Sequence, residues 1–231
     1  MSQRLFKNLS TIIRSFVMST VSELKEQSGA KLFASFIGGS KIAKNTHSYK
    51  MIEVATMILL RQGFGVIHGG FAGGAMLAVN DMANLVIAEQ NLASEFNIAV
   101  PQLQFDHLPR VSGAVFTDSA RDIFDRLRAI LSGDIIIVSP SGALGTNLEL
   151  STAIHENVYC QYFKQSAKPK PIIFLQATRG TDWKKLLITK SEILGLKRYL
   201  SSYDWLYFIY SKDDLNNLLV SLKNNLLAES F

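Results

Sequence analysis

The residues best suited to chemistry stand directly after an apolar run. The stretch IIIVSPSGALGTNLEL, residues 135–150, passes from that run through a loop of small residues into a helical pattern. Gly142 and Gly145 allow the backbone to approach an anion closely, and the hydroxyl of Thr146 adds a hydrogen-bond donor. Glu149 follows Thr146 at i+3, which places both side chains on the same side of a helix, toward the loop. The pattern predicts an anion site with a carboxylate beside it.

A purely structural interpretation of the same pair is also open. In a capping box, Thr146 would precede the first helical turn and its side chain would accept a backbone hydrogen bond, while the N–H of Thr146 would donate one to the side chain of Glu149. Such a cap stabilises a helix end by about 1 kcal/mol. Arg126, on the helical pattern before the strand, has two interpretations as well: it pairs with an anion, or it lies on a solvated helix face.

Two further loops have the composition of anion sites. They are Gly38–Gly39–Ser40 and HGGFAGGAM, residues 68–76. Glycines at these places also arise because tight turns between a strand and a helix require them. The second loop lacks the G-x-G-x-x-G spacing, and neither a P-loop nor a G-x-S-x-G motif occurs in the chain. A dehydrogenase, a P-loop ATPase and an α/β-hydrolase are therefore disfavoured. The histidines do not stand at metal-ligand spacings, so we expect no metal site.

The elements that position these loops follow from the hydrophobic pattern. Short apolar runs alternate with segments of helical periodicity. Strands are predicted over residues 31–39, 64–70, 96–103, 134–139, 171–176 and 205–211. Helices are predicted over residues 47–63, 75–89, 119–131, 146–163, 183–187 and 213–227, whereas residues 102–118 show no clear pattern. Such alternation requires right-handed crossovers and a parallel sheet covered on both faces. We therefore predict one doubly wound α/β domain over residues 28–231, with its ligand at the carboxyl ends of the strands.

Composition and charge narrow the class of protein. A chain of 231 residues with 48% hydrophobic content can form one α/β domain with a sizeable core. The net charge of +5 is spread along the chain without a long positive run, so we expect no nucleic-acid partner. A single cysteine, Cys160, favours a reducing compartment, and we expect a cytoplasmic protein. No stretch reaches the roughly 18 apolar residues of a membrane helix.

The first residues form a separate segment. Residues 1–22 contain no acidic side chain, and basic residues alternate there with apolar ones at helical spacing. The pattern is typical of a transit peptide or of an amphipathic helix that packs on the domain. We interpret residues 1–27 as an N-terminal amphipathic helical segment, with a transit peptide as the open alternative.

Three segments together resemble a known family. FIGGS, GFGVIHGGFAGGAMLAVNDMA and DIIIVSPSGALGTNLEL are similar, in order and spacing, to the three motifs of the LONELY GUY family of nucleoside 5′-monophosphate phosphoribohydrolases. This family lies within the SLOG superfamily of Rossmann-like proteins, and the likeness covers about residues 31–165. The matching motif residues are Gly69, Gly70, Gly74, Met76, Pro140, Gly142, Gly145, Thr146 and Glu149.

The resemblance implies a function and a set of roles. It implies a Rossmann-like homodimer that needs no cofactor and hydrolyses the N-glycosidic bond of AMP or an N6-modified AMP to free base and ribose 5-phosphate. Glu149 would be the catalytic carboxylate, stabilising an oxocarbenium-like ribose or activating water, and Arg126 would orient the phosphate or the ribose. The residues that would bind the phosphate and the rest of the nucleotide are Gly39, Ser40, Gly69, Gly70, Gly74, Gly142, Gly145 and Thr146.

The chain departs from the family at several motif positions. Phe71, Leu77 and Ser141 replace glycines, and Ala143–Leu144 occupy the place of one residue. Asp125–Arg126 stand where the family has an Arg-Lys pair. A non-catalytic SLOG-type protein that binds a nucleotide or a nucleotide messenger would use the same loops without Arg126 at one fixed position. The phosphoribohydrolase is the main prediction, and the binding protein is the alternative. A third interpretation keeps the fold and changes the ligand, to another kind of phosphate-sugar chemistry or to a carried cofactor.

Overall fold

Strands and helices alternate along the chain, as the hydrophobic pattern predicts. The computed structural model describes residues 19–118, 120–162, 168–177, 181–193 and 204–228. Within these ranges the strands are β1 (Leu32–Ile37), β2 (Phe64–His68), β3 (Asn97–Ala99), β4 (Val115–Phe116), β5 (Ile135–Val138), β6 (Ile172–Leu175) and β7 (Leu206–Ile209). The helices of the same ranges are α1 (Val21–Ser28), α2 (His47–Arg61), α3 (Gly74–Gln90), α4 (Ile123–Ile130), α5 (Leu144–Tyr162), α6 (Trp183–Ile193) and α7 (Lys212–Ala228).

The strands form one parallel sheet in the order β4-β3-β2-β1-β5-β6-β7. The chain proceeds outward from β1 to β4 and then returns to place β5 on the other side of β1, so the strand order reverses between β1 and β5. Ile37 pairs with Val138, so these two strands end side by side. The predicted doubly wound, Rossmann-like fold is confirmed. In such folds the ligand crevice forms outside the carboxyl ends of the strands at this switch point.

Both faces of the sheet are covered by helices. Because successive strand residues point to opposite faces, Leu32 and Phe36 pack in one hydrophobic cluster while Phe33 and Ile37 pack in the other. Helices α2, α3 and α7 contribute to the first cluster, and α1, α4, α5 and α6 contribute to the second. Burial on both faces explains why the strands are continuous apolar runs and do not alternate with polar residues.

The structure differs from the predicted elements in several places; helix α6, for example, extends to Ile193 and not to residue 187. Strand β4 lies in the stretch where no pattern was visible, because two half-buried residues are too short to show a period. Helix α4 begins at Ile123 and not at residue 119, since the side chain of Asp122 accepts hydrogen bonds from the N–H groups of Phe124 and Asp125 and fixes the start. Helix α5 begins at Leu144, two residues before the predicted start.

The N-terminal segment is described only in part. Residues 1–18, with most of the predicted amphipathic helix, lie outside the described residues. Helix α1, which ends this segment, packs on the domain through Val21 and Leu24 in the second cluster. None of the helices in the described ranges is long and apolar enough to span a membrane.

Candidate functional site

A cavity of about 290 Å³ lies at the carboxyl ends of the strands around the switch point. It is lined from all three predicted loops, from α4 and α5, and from the segment around Phe105 and Leu108. The predicted site residues that line it are Gly39, Ser40, Gly69, Arg126, Gly145, Thr146 and Glu149. Residues separated by more than a hundred positions in the chain thus meet at one place, which is the place that the strand order predicts.

Short backbone contacts hold the loops together. The N–H of Gly39 donates to the carbonyl of Ser141 at 3.0 Å, and the carbonyl of Gly39 accepts from the N–H of Ala75 at 3.0 Å. Gly74 has a positive φ of 52°, and a Cβ atom there would overlap the carbonyl oxygen of Gly39. Glycine is therefore required at Gly74 so that the start of α3 can approach the loop after β1.

Three of the predicted site residues shape the loops without lining the cavity. Gly70, with φ of 78°, donates its N–H to Nδ1 of His68 at 3.2 Å. A Cβ atom on Gly142 would lie 2.8 Å from carbon atoms of Thr146 and Trp183, so this glycine allows close packing at the start of α5. Gly74 contacts the loop after β1 at the carbonyl of Gly39. The binding roles expected for these residues stay predictions.

Arg126 and Glu149 form an ion pair inside the cavity. Nη1 of Arg126 donates to Oε1 of Glu149 at 3.2 Å, and the two side chains are only 11% and 8% exposed. Burial raises the pKa of Glu149 from 4.5 to about 7, because a carboxylate loses its hydration there, while the positive charge of Arg126 acts in the opposite direction. A carboxyl with this pKa can hold or release a proton near neutral pH, which is what a general acid or base requires.

The first turn of α5 opens onto the same cavity. Thr146 lies inside this turn, and its hydroxyl accepts a hydrogen bond from the N–H of Ala143 at 3.4 Å. The capping-box interpretation is therefore wrong, since Thr146 does not precede the helix and the carboxylate of Glu149 contacts Arg126. The first N–H groups of any helix lack partners within the helix, so those of Leu144, Gly145 and Thr146 are suited to binding an anion.

Aromatic rings form another part of the cavity wall. Phe71 and Phe105 both line it, with ring centroids 5.8 Å apart and ring planes at 90°. The guanidinium carbon of Arg126 lies 6.0 Å from the centroid of Phe71. The cavity therefore combines charged, polar and aromatic groups.

A buried hydrogen-bond network that the sequence patterns above do not predict supports the loop after β2. Nδ1 of His68 accepts from Gly70, so its Nε2 carries the proton and donates to Oδ1 of Asn97 at 3.0 Å. The pKa of His68 is lowered to about 4 by full burial, so the ring is neutral at physiological pH. His68 thus has a structural partner on each ring nitrogen.

The network continues into α3 and to the backbone of Ser112. Nδ2 of Asn97 donates to Oδ1 of Asn80 at 3.1 Å and to Oδ1 of Asn84 at 3.0 Å. Both asparagines then donate to the carbonyl of Ser112, at 3.0 and 2.9 Å. Two asparagines at i and i+4 in a mostly apolar helix are the sequence signal for such a network. Metal-ligating side chains do not cluster in threes within the described part of the chain.

The chain is thus a doubly wound α/β protein with a cavity at its switch point. No family model matches the sequence, and no curated protein matches it. Several solved structures, however, are similar to this chain. The chain is similar to the molybdenum cofactor carrier protein from Chlamydomonas reinhardtii, with a TM-score of 0.56 and 15% identity over 84% of this chain and 99% of that one. It is similar to the molybdenum cofactor binding protein from Rippkaea orientalis, with a TM-score of 0.58 and 16% identity over 84% and 99%. It is also similar to DNA processing protein A from Helicobacter pylori, with a TM-score of 0.52 and 14% identity over 86% and 83%.

These comparisons bear on the fold. At identities this low, the likeness shows a shared Rossmann-like architecture. The assignments to the SLOG superfamily and the LONELY GUY family, the homodimer and the cytoplasmic location stay predictions.

Proposed function

We propose that the protein binds a phosphate-bearing ligand of mononucleotide size, a nucleoside monophosphate or a nucleotide messenger, in the cavity at the switch point. The observation that supports this most directly is the first turn of α5, where Gly145 and Thr146 line the same cavity as Arg126. A helix N-terminus offers free N–H groups and the positive end of its dipole, and a guanidinium adds a full charge. A volume of about 290 Å³ suits a mononucleotide better than a dinucleotide.

Binding without turnover is the main form of this proposal. Two of the similar structures are a carrier and a binding protein for the molybdenum cofactor, which is a small-molecule ligand. The loops and Arg126 of this chain can hold a ligand whether or not a reaction follows. Another similar structure binds single-stranded DNA. We propose no nucleic-acid ligand here, because the basic residues of this chain are dispersed and form no long run.

A phosphoribohydrolase of the LONELY GUY type is the second candidate, and Glu149 favours it. Its carboxyl lines the cavity and has a pKa raised by burial to about 7. In that reaction water attacks C1′ of the ribose, the N-glycosidic bond breaks and the base leaves with a proton. Glu149 would accept the proton of the attacking water or stabilise the oxocarbenium-like ribose. Asp125, at the place of the family's arginine, pairs instead with Arg128 at 3.4 Å, whereas Arg126 lines the cavity.

Two measurements separate binding from turnover. Titration calorimetry with AMP, GMP, CMP and N6-isopentenyl-AMP measures binding, and chromatography after incubation with the same four nucleotides measures free base. We expect AMP to bind, without free base above the level of Glu149→Gln. Thr146→Val should weaken AMP binding about tenfold or more, because a hydrogen bond to a charged group is worth about 1.5–3 kcal/mol. Thr152→Val is the matched control, since its hydroxyl lies on the same helix and donates to the carbonyl of Leu148 at 2.9 Å.

The outcomes are distinct. Absence of binding for all four nucleotides would overturn the proposal. Release of base that disappears in Glu149→Gln would establish the phosphoribohydrolase instead. Equal losses of affinity in Thr146→Val and Thr152→Val would show that helix stability, and not a phosphate contact, determines the result.

A further inference from the structure

The aromatic part of the cavity wall includes a position at which the LONELY GUY family has glycine. Phe71 occupies the position of a motif glycine, and its ring lines the cavity together with Phe105 and Met76. A phosphate and a sugar would satisfy Arg126 and the first turn of α5. They would leave these apolar groups without a partner of matching chemistry.

The ring of Phe71 is held in a defined position. The edge-to-face contact with Phe105 and the guanidinium of Arg126, 6.0 Å from the ring centroid, fix its orientation from two directions. The positive φ angles of this loop fall on Gly70 and Gly74, so the position of Phe71 does not demand glycine. A ring fixed in this way is a preorganised contact surface for a ligand.

The backbone around Phe71 is tied to the segment that carries Phe105. Ala72 donates its N–H to the carbonyl of Pro109 at 2.8 Å, and Val111 donates its N–H to the carbonyl of Gly70 at 3.0 Å. These bonds pair the loop after β2 with the segment that follows Phe105 in antiparallel fashion. The two rings therefore form one unit and do not lie on independent loops.

We infer that Phe71, supported by Phe105, is a specificity-determining residue that contacts a planar heterocyclic ring of the ligand. The inference rests on the proposed function, because it assigns the base-recognising part of the same site. An aromatic face binds the face or edge of a purine-like ring with little regard to its substituents, and loss of such a contact weakens binding by roughly ten- to a hundredfold. The ligand class is then a phosphate ester that carries a flat heterocycle.

The experiment compares two probes, AMP and ribose 5-phosphate, which share the phosphate and differ in the base. Titration calorimetry gives the dissociation constant for ribose 5-phosphate divided by that for AMP, and this ratio is measured for the unchanged protein and for each variant. We expect AMP to bind at least about tenfold more tightly than ribose 5-phosphate, and Phe71→Leu to bring this ratio close to one with little change for ribose 5-phosphate. Phe71→Tyr, which keeps the ring, should preserve the ratio.

Controls separate the aromatic contact from stability and from the proposed function. Phe208→Leu removes a comparable ring contact, with Phe174 at 5.0 Å, away from the cavity, and should leave the ratio unchanged. Phe105→Leu should lower the ratio in the same direction as Phe71→Leu. An unchanged ratio in Phe71→Leu would overturn the inference while the proposed function stands. If neither probe nor any of the other three nucleotides binds the unchanged protein, the proposed function fails and this inference fails with it.

Discussion

Replacing Glu149 with glutamine should stabilise the folded protein above neutral pH, although it removes one partner of an ion pair. Glutamine has nearly the shape of a protonated glutamic acid and carries no charge. Because burial raises the pKa of Glu149 from 4.5 to about 7, the folded state binds this proton more tightly than the unfolded state. The free energy of unfolding therefore falls as the pH rises from 4.5 to 7, and the contribution is lost above the folded-state pKa.

The magnitude follows from the two pKa values. At about 1.4 kcal/mol per pKa unit, the rise to about 7 corresponds to about 3 kcal/mol. Glu149→Gln should match the unchanged protein at pH 4 and exceed it by about 3 kcal/mol at pH 8. Urea unfolding followed by circular dichroism measures this as a difference of about 1 M in the midpoint, for a slope of about 3 kcal/mol per M.

The comparison at two pH values isolates Glu149, since every other titrating group is common to both proteins. A difference in unfolding free energy that is the same at pH 4 and pH 8 would refute the reasoning. A variant that is less stable at pH 8 would show that the pairing with Arg126 outweighs the loss of hydration, and that the pKa of Glu149 lies below its ordinary value.

Two further predictions concern the scaffold of the site, and both are checked by urea unfolding. Gly74→Ala should lower the unfolding free energy by about 2 kcal/mol or more, because its φ is positive and the new Cβ overlaps the carbonyl of Gly39. Gly145→Ala is the control, since a Cβ there meets nothing within 4 Å and alanine favours a helix by roughly 0.5–1 kcal/mol. Asn97→Ala should cost about 3 kcal/mol or more by leaving polar groups of buried His68 and Asn80 and of half-buried Asn84 without their partner, whereas exposed Asn224→Ala should change stability by less than about 0.5 kcal/mol. Equal effects within either pair would contradict the assigned contacts.

The parallel sheet could be predicted because its cause is visible in the sequence. Each long strand is a largely apolar run, and most have Gly, Ser or Pro at one end, as Ser139 follows residues 135–138. The segments between strands repeat at helical spacing. Once these elements alternate, handedness leaves few arrangements, and the loops must meet at one edge. The meeting of Thr146, Glu149 and Arg126 in one cavity follows from that constraint.

Other features depend on contacts between distant residues and have no local signal. The N–H of Gly39 donates to the carbonyl of Ser141 and so is not free for a ligand, which the composition of the loop does not indicate. The role of Asn97 depends on its neighbours in α3, and the role of Phe71 depends on a ring 34 positions later in the chain. Sequence patterns locate a loop at the site, but tertiary packing decides whether its glycines bind a ligand or hold another loop.

The two buried titrating groups of the site act in opposite directions over the same pH range. The pKa of His68 is lowered to about 4, so its contribution to the free energy of unfolding is lost as the pH falls from 6.5 to 4. Protonation of Glu149 instead raises the free energy of unfolding as the pH falls from 7 to 4.5. The two contributions nearly cancel, so the loss due to His68 becomes visible only in Glu149→Gln.

A phosphate monoester gains its second charge near pH 6. Between about pH 6 and 7 the ligand is therefore a dianion while Glu149 is still largely neutral, and the charge of Arg126 is available to the phosphate. Above pH 7 the carboxylate of Glu149 competes for the same guanidinium and repels the ligand. The geometry that makes Glu149 a possible catalyst thus also favours phosphate binding on the acidic side of neutrality.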